Sequence, residues 1–548
     1  MYNNSTTFFA FMRRAGGNMN FKRIFSIGLS VLLLGGAVFP AVSAEEEKAP
    51  VEKAEPIVFT DTSGHWAEEA ISRWSAEGVI RGESDGRFRP DDPLTRAEMA
   101  IILQRVMRYE TVSEELFTDL TEEWYIDAIQ SLRAAGVMQG DERNCANPYA
   151  PITREEAVTL IARAFLMEAS QGELTFPDAA SVSDWARGYV AAMAEAGFVR
   201  GSDGGNFLPA DPLTRAEAVT ILHNMVTACF YTEGEYDFRP FEGLADYVIV
   251  GANDVKIKNF DIGGTILLAE GVDYEKVIFS MVNHYGKVMQ YTPEGYVRRL
   301  KAASYIVPIN PELPLCSYDP ELFVKDEKGI MHYNDPARKS YMGIDVSNWQ
   351  GTVDWKKVKE EGVYFAFIRA GYRGYESGAL NIDKNFEANM KGALEAGIKV
   401  GVYFFSQALN AAEAYEEAEF VLDLIKDYDV TFPVVFDWET VSSDSARTGD
   451  METEDLCRAA NVFCTTVQEA GYIPLVYSNQ SLSLLKYDLS RVQSYDFWYA
   501  EYKDQPTFYY DFDIWQYTQE GKLEGVPEAY VDLNISFVDY SKMKPVKP

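Results

Sequence analysis

Internal repetition constrains this chain more than any other feature. Phe59-Thr60-Asp61, Phe117-Thr118-Asp119 and Phe176-Pro177-Asp178 open three units spaced 58–61 residues apart, and a fixed period outranks any local reading. A tryptophan follows each opening (Trp66, Trp124, Trp185), then an amphipathic helix ending in Ala76-Glu77-Gly78, Ala134-Ala135-Gly136 or Glu195-Ala196-Gly197. Those glycines stand where a helix C-terminus favours a left-handed residue. After a turn come Leu94-Thr95-Arg96-Ala97-Glu98, Ile152-Thr153-Arg154-Glu155-Glu156 and Leu213-Thr214-Arg215-Ala216-Glu217. Threonine three places before glutamate is the capping box of a second helix. Two helices and a loop are too small to bury their own core, so the three units are expected to pack together. The middle unit departs from the pattern. Asp85-Gly86-Arg87-Phe88-Arg89-Pro90 and its third-unit equivalent over 203–209 have no clean counterpart in 141–148.

These motifs resemble the S-layer homology (SLH) module, with repeats over 56–115, 116–173 and 174–233. The resemblance implies a three-lobed α-helical array that binds secondary polymers of the bacterial cell wall, typically pyruvylated ones, in grooves between lobes. It makes Arg96, Arg154 and Arg215 the groove arginines, with Trp66, Trp124 and Trp185 as platforms for sugar rings. A guanidinium fork suits a ketal carboxylate. Plainer alternatives stand beside these: a structural ion pair for each arginine, core packing for each tryptophan.

Ahead of the repeats, residues 1–44 carry Arg13, Arg14, Lys22 and Arg23 and no acid, then an apolar run over 27–38 and Ala41-Val42-Ser43-Ala44. That is the order of a secretory signal, with Met19 a second candidate initiator. The run is about 12 residues, short of the roughly 20 that span a bilayer, so no transmembrane segment is expected once the signal is cleaved. The formal charge of the whole chain is −34, and cleavage makes it more negative. Such acidity opposes encounters with nucleic acid or anionic membrane but not with neutral glycans. Cys457 and Cys464 lie seven apart on an expected helix, about 10.5 Å along its axis, too far to bridge. All five cysteines are read as buried thiols without a disulfide framework. No zinc-type spacing or carboxylate–histidine cluster occurs, so neither metal nor cofactor is expected.

Residues 241–335 alternate with period two, as in Tyr247-Val248-Ile249-Val250 and Val255-Lys256-Ile257-Lys258, which predicts a small β-rich spacer domain or β-stack. From Tyr341 strands alternate with helices. Strands are read at 342–346, 363–369, 398–405, 432–438, 473–478, 495–500, 511–516 and 530–534, with crossover helices thinning toward the end. The early strands are apolar runs, as parallel strands covered on both faces are. Together they predict an α/β fold, a (β/α) barrel with fewer helices in its last part. In such a barrel, polar residues at the C-terminal ends of strands mark the site.

Asp345 ends the first strand on this reading, Asp437 and Glu439 the fourth, and Asp532 the eighth. Asp437 and Glu439 are two residues apart, so a continuing strand aims both to one side, about 6.5–7 Å apart. Four carboxylates at one mouth raise at least one pKa toward neutrality, and acid-catalysed glycoside cleavage needs a protonated carboxyl beside an ionised one. Tyr403, Trp438, Tyr499, Trp515 and Tyr517 lie near the same strand ends, and Tyr403, Tyr499, Trp515 and Tyr517 are the candidate sugar-stacking aromatics. The alternatives are that each acid is a cap or ion-pair partner, or that the barrel is a catalytically silent glycan binder.

The segments Gly343-Ile344-Asp345-Val346-Ser347-Asn348-Trp349-Gln350-Gly351, Phe436-Asp437-Trp438-Glu439, Trp515-Gln516-Tyr517 and Val531-Asp532-Leu533-Asn534 resemble the family 25 glycoside hydrolases, or Chalaropsis-type lysozymes, over 341–541. The resemblance implies an N-acetylmuramidase that cuts peptidoglycan between N-acetylmuramic acid and N-acetylglucosamine. It makes Glu439 the general acid and Asp437 the stabiliser of developing charge, with Asp345 and Asp532 lining the site. With the repeats, it implies a secreted enzyme attached non-covalently to the wall or S-layer.

Overall fold

Each capping box forms as the threonine–glutamate spacing requires. The Thr95, Thr153 and Thr214 hydroxyls accept the N–H of Glu98, Glu156 and Glu217, and each glutamate accepts the threonine N–H in return. The computed structural model describes residues 57–202, 204–443, 445–527 and 530–543, all within one compact unit. The export signal read over 1–44 lies outside the described residues. The helical array consists of α1 (Glu68–Ala76), α2 (Arg96–Met107), α3 (Glu123–Ala134), α4 (Arg154–Ala164), α5 (Asp184–Glu195) and α6 (Arg215–Met225). Packing is between units rather than within them: α2 lies on α3, α4 on α5, and α6 returns to α1. The Trp74 indole N–H donates to the Val219 carbonyl at 3.1 Å, tying the last helix to the first. One core containing Trp74, Leu103, Ile129, Leu160 and Leu222 serves all three units.

The middle unit is irregular in sequence but not in backbone. Asp61, Asp119 and Asp178 each accept two successive N–H groups from the turn of their own unit: Phe88 and Arg89, Ala146 and Asn147, Phe207 and Leu208. Arg89, Asn147 and Leu208 take the same left-handed conformation, with φ of 58°, 52° and 58°. The turn over 141–148 reaches the common geometry with different side chains.

Helix α6 passes directly into a strand, Val226–Phe230, so the β-rich region starts within the stretch read as the third repeat. Its strands pair in parallel, and Ala228, Val248, Ile266 and Val288 stack in one buried column. A second column runs through Gly234, Val255 and Val277. The chain therefore coils, each turn lying on the last, before two antiparallel strands, Gly295–Ala302 and Tyr305–Pro308, finish the stack. Glycine is required where coils touch at a corner: a Cβ on Gly264 would collide with the Asp246 carbonyl. The stack is fixed to the array. Glu270 accepts the N–H groups of Glu110 and Thr111, both at 2.8 Å, and the Tyr109 and Tyr296 hydroxyls meet at 2.7 Å.

The barrel strands are β1 (Tyr341–Val346), β2 (Phe365–Arg373), β3 (Lys399–Ser406), β4 (Val430–Trp438), β5 (Pro474–Asn479), β6 (Asp496–Ala500), β7 (Ile514–Gly521) and β8 (Val531–Ser536). β1 pairs with both β2 and β8, closing the sheet. Strands β1 to β7 run parallel, whereas β8 is antiparallel to both neighbours. The helices are α7 (Trp355–Glu360), α8 (Phe386–Glu395), α9 (Ala411–Ile425), α10 (Thr453–Glu469) and α11 (Gln480–Leu485). Among the described residues no α-helix follows β6 or β7. Residues 313–333 cover that wall instead: Phe323 meets Trp515 edge-on at 5.2 Å, Tyr318 lies 4.9 Å from Phe512, and the Tyr318 hydroxyl donates to the Phe512 carbonyl at 2.6 Å.

No disulfide joins any of the five cysteines. Cys229, Cys457 and Cys464 are buried, while Cys145 and Cys316 are only half-buried, against the reading of all five as buried. No helix among the described residues is long and apolar enough to cross a membrane.

Candidate active site and wall-binding grooves

Alternation along the strands decides which side chains reach the barrel mouth. Phe367, Tyr477, Trp498 and Ile514 form an inner cluster with Tyr403 packed against it, whereas Ile344, Val346, Phe436 and Trp438 face the outer shell of helices. Asp345 and Asp437 lie between those outward neighbours and so point in, and Glu439 follows on the same side just past the end of β4. Asp345 and Asp532 are register partners across β1 and β8 and are hydrogen-bonded to each other. Asp532 does not end its strand, as the sequence reading had it. It is the second residue of β8, and the reversal of that strand brings its N-terminal end to the mouth.

The four carboxyls shift one another. Burial, then the charge of Asp345, pushes Glu439 up to about 7. Burial, Glu439 and Asp345 raise Asp437 well above the carboxylate range, with Arg369 opposing. Burial and Asp345 do the same to Asp532. Burial also raises Asp345, but the Asn534 and Gln516 amides hold it down. Their nitrogens both lie 2.8 Å from Asp345 Oδ2. Among the described residues Asp437 Oδ1 is buried without a hydrogen-bond partner, an acceptor left open at the mouth. Gln407 fixes Glu439 beyond the strand end by donating to its carbonyl at 2.8 Å, and the Thr448 hydroxyl in turn donates to Gln407 at 2.8 Å. One half-buried carboxyl that holds a proton near neutrality beside an ionised one is equipped for acid catalysis.

Of the four aromatics expected at the mouth, Tyr403 is half-buried and on the inner side. The other three are not there. Tyr499, Trp515 and Tyr517 are at most 1% exposed and point outward. Trp515 donates to the Glu501 carbonyl, the Tyr517 hydroxyl accepts the Met331 N–H, and Tyr499 stacks on Phe508 at 4.3 Å. Their odd positions alternate with Trp498 and Gln516, which do face in. Trp349, 73% exposed just past β1, and Tyr502, 42% exposed just past β6, are the rim aromatics that sequence reasoning missed. Gln516, Asn534 and Arg369 were missed as well. The inward parity of Asp532 and of the Trp-Gln-Tyr motif is the signal that finds the two amides.

In the helical array the three arginines form a cycle of ion pairs: Arg96 with Glu156 at 2.7 Å, Arg154 with Glu217 at 2.5 Å, Arg215 with Glu98 at 2.7 Å. Each Nε donates to a turn carbonyl, of Ala146, Phe207 or Phe88. The structural alternative for these arginines is therefore realised, whatever else they touch. The tryptophans go the other way, with Trp66, Trp124 and Trp185 50–62% exposed rather than in the core. A groove of about 870 Å³ takes Trp66 from the first unit, Arg154 from the second and residues 197–202 from the third, and Asp246 of the β-stack borders it.

Residues 344–526 match the glycosyl hydrolases family 25, and residues 58–100, 116–158 and 175–219 match the S-layer homology domain. The chain is 35% identical over 175 residues to an amylopullulanase of Thermoanaerobacterium thermosulfurigenes, covering 31% of this chain and 9% of that protein. It is 29% identical over 210 residues to a surface-layer 125 kDa protein of Lysinibacillus sphaericus, covering 37% and 17%. The chain thus spans less than a fifth of the length of these curated relatives. Among solved structures it is similar to a family 25 glycosyl hydrolase from Bacillus anthracis, at 26% identity over 38% of this chain and 93% of that one, with a TM-score of 0.32. The chain carries a glycosyl hydrolase family 25 domain, preceded by three S-layer homology repeats.

Proposed function

We propose that this chain is a secreted, wall-attached lysozyme that hydrolyses the β-1,4 bond between N-acetylmuramic acid and N-acetylglucosamine in peptidoglycan. The observation that carries the reading is Glu439, a carboxyl at the barrel mouth pushed up to about 7 beside Asp345 and Asp437. Protonated Glu439 donates to the glycosidic oxygen as the bond to the sugar's anomeric carbon breaks. Asp437, with its unpartnered Oδ1, accepts the N–H of the substrate's 2-acetamido group and so turns that group's carbonyl toward the positive charge that develops there. Water then adds its oxygen to the anomeric carbon and returns a proton to Glu439, restoring the acid. Trp349, Tyr403 and Tyr502 supply stacking surfaces for sugar faces.

S-layer homology domains as a class bind secondary cell wall polymers. Here the exposed Trp66, Trp124 and Trp185 stack on sugar rings of such a polymer. Arg96, Arg154 and Arg215, besides closing the array, face its acidic, pyruvylated groups. The domain limits given above, 56–115, 116–173, 174–233, 241–335 and 341–541, are part of this proposal, as is the export signal over 1–44. The test is digestion of purified peptidoglycan with the whole protein, followed by identification of the new reducing ends. N-acetylmuramic acid ends support the reading, whereas N-acetylglucosamine ends or none at all refute it.

A further inference from the structure

Beneath the four carboxyls lies a layer of buried polar side chains whose contacts extend past Asp345. Trp498 Nε1, which can only donate, lies 2.8 Å from Asn534 Oδ1. The indole therefore fixes the Asn534 amide, whose Nδ2 must face Asp345 Oδ2 at 2.8 Å. Gln516 Nε2 reaches the same oxygen at 2.8 Å. Its own Oε1 accepts the Tyr477 and Tyr502 hydroxyls at 3.0 and 3.1 Å. Two N–H donors on one oxygen favour the ionised form of Asp345. The hydrogen bond between the two acids lowers Asp345 and raises Asp532, so the proton they share is assigned to Asp532.

We propose that Gln516 and Asn534 are positioning residues that hold the negative charge of the Asp345–Asp532 pair on Asp345, where it keeps Glu439 protonated. This rests on the reading of Glu439 as the acid. The groups acting on Glu439 come from several sides of the mouth, Asp345 on β1, Asp437 on β4, Tyr477 on β5, Tyr502 past β6 and Asp532 on β8, while Arg369 on β2 and Tyr403 on β3 act on Asp437 beside it. Arg369 is the only cation among them, and its guanidinium is engaged by Asp383. What sets the proton affinity of Glu439 is therefore where the negative charge sits. Two buried amides, 4% and 0% exposed, set that without touching Glu439 or the substrate.

The test is a pH titration of Glu439 in the whole protein by ¹³C NMR of carboxyl-labelled glutamate, assigned by difference from Glu439→Gln, alongside the alkaline limb of kcat/KM on peptidoglycan. Loss of one donor to a charged acceptor in Gln516→Met lets Asp345 take up a proton, so both midpoints fall by about 1 pH unit. Asn534→Leu gives the same shift. Trp498→Phe, which frees the Asn534 amide to turn, gives a smaller shift in the same direction and serves if either of the other two fails to fold. A variant with reduced kcat and unmoved midpoints overturns the proposal, since that is what a merely structural role produces. If the unaltered protein proves inactive, the functional reading fails, yet the NMR midpoint still decides whether the amides set the Glu439 proton.

Discussion

Arg215 of the third repeat pairs with Glu98 of the first at 2.7 Å, and Glu98 is also the glutamate of that repeat's capping box. A motif repeated in sequence thus closes on itself in space, each arginine reaching the helix start of the next unit. Arg215 also donates to the Phe88 carbonyl and lies over the Phe88 ring at 4.7 Å. Arg215→Ala should cost about 1–3 kcal/mol, read by urea unfolding. Arg215→Lys keeps the charge but not the fork and should fall between the two. Unchanged stability in Arg215→Ala would mean that the cycle does not hold the array together.

The exposed tryptophans should behave in the opposite way. Trp66→Ala, Trp124→Ala and Trp185→Ala remove side chains that are at least half exposed, so each should shift stability by no more than about 0.5 kcal/mol. Each should still weaken sedimentation of the protein with cell walls. On walls stripped of secondary polymer the variants and the unaltered protein should bind alike, through the barrel alone.

The strap over the helix-poor wall fixes where the catalytic unit can be cut. Phe323 and Tyr333 are buried, and Phe323 packs on Trp515. A fragment beginning at residue 336 would leave that wall bare and should unfold at lower temperature and bind hydrophobic dye. One beginning at residue 309 should do neither. Within the whole protein, Phe323→Ala should cost about 3–5 kcal/mol.

The raised Glu439 pKa has a sign that stability measurements can read. Its value is about 7 in the fold, above the ordinary glutamate value. A raised folded pKa contributes stability that is fully present below the unfolded value and is lost as pH rises through the folded one. Glu439→Gln cannot ionise, so it should melt above the unaltered protein at pH 8, with the difference shrinking toward pH 4. A variant less stable at pH 8 than at pH 4, relative to the unaltered protein, would contradict the shift.

The repeats, the barrel and the four acids were legible because each is written in local signals: a capping box, apolar runs between turns, carboxylates at strand ends. What escaped was set by long-range geometry. The reversal of β8 leaves no mark on Val531-Asp532-Leu533-Asn534, because an antiparallel strand alternates as a parallel one does. Tyr499, Trp515 and Tyr517 were misplaced because a one-residue change of parity moves a side chain from mouth to outer wall, and here that wall is covered by a segment almost two hundred residues earlier in the chain. The parallel coiling of the β-stack was hidden for the same reason, since period two does not say which strand lies beside which.

The most direct test of the account is the rate of Glu439→Gln on purified peptidoglycan, measured as reducing ends released per minute at pH 6, with glycan binding measured in parallel. The substitution keeps the size of the side chain but replaces an acidic proton with amide hydrogens that cannot be given up, so binding should be retained while turnover falls by about 10²–10⁴-fold. A variant that cleaves at close to the unaltered rate would contradict the assignment of Glu439 as the acid.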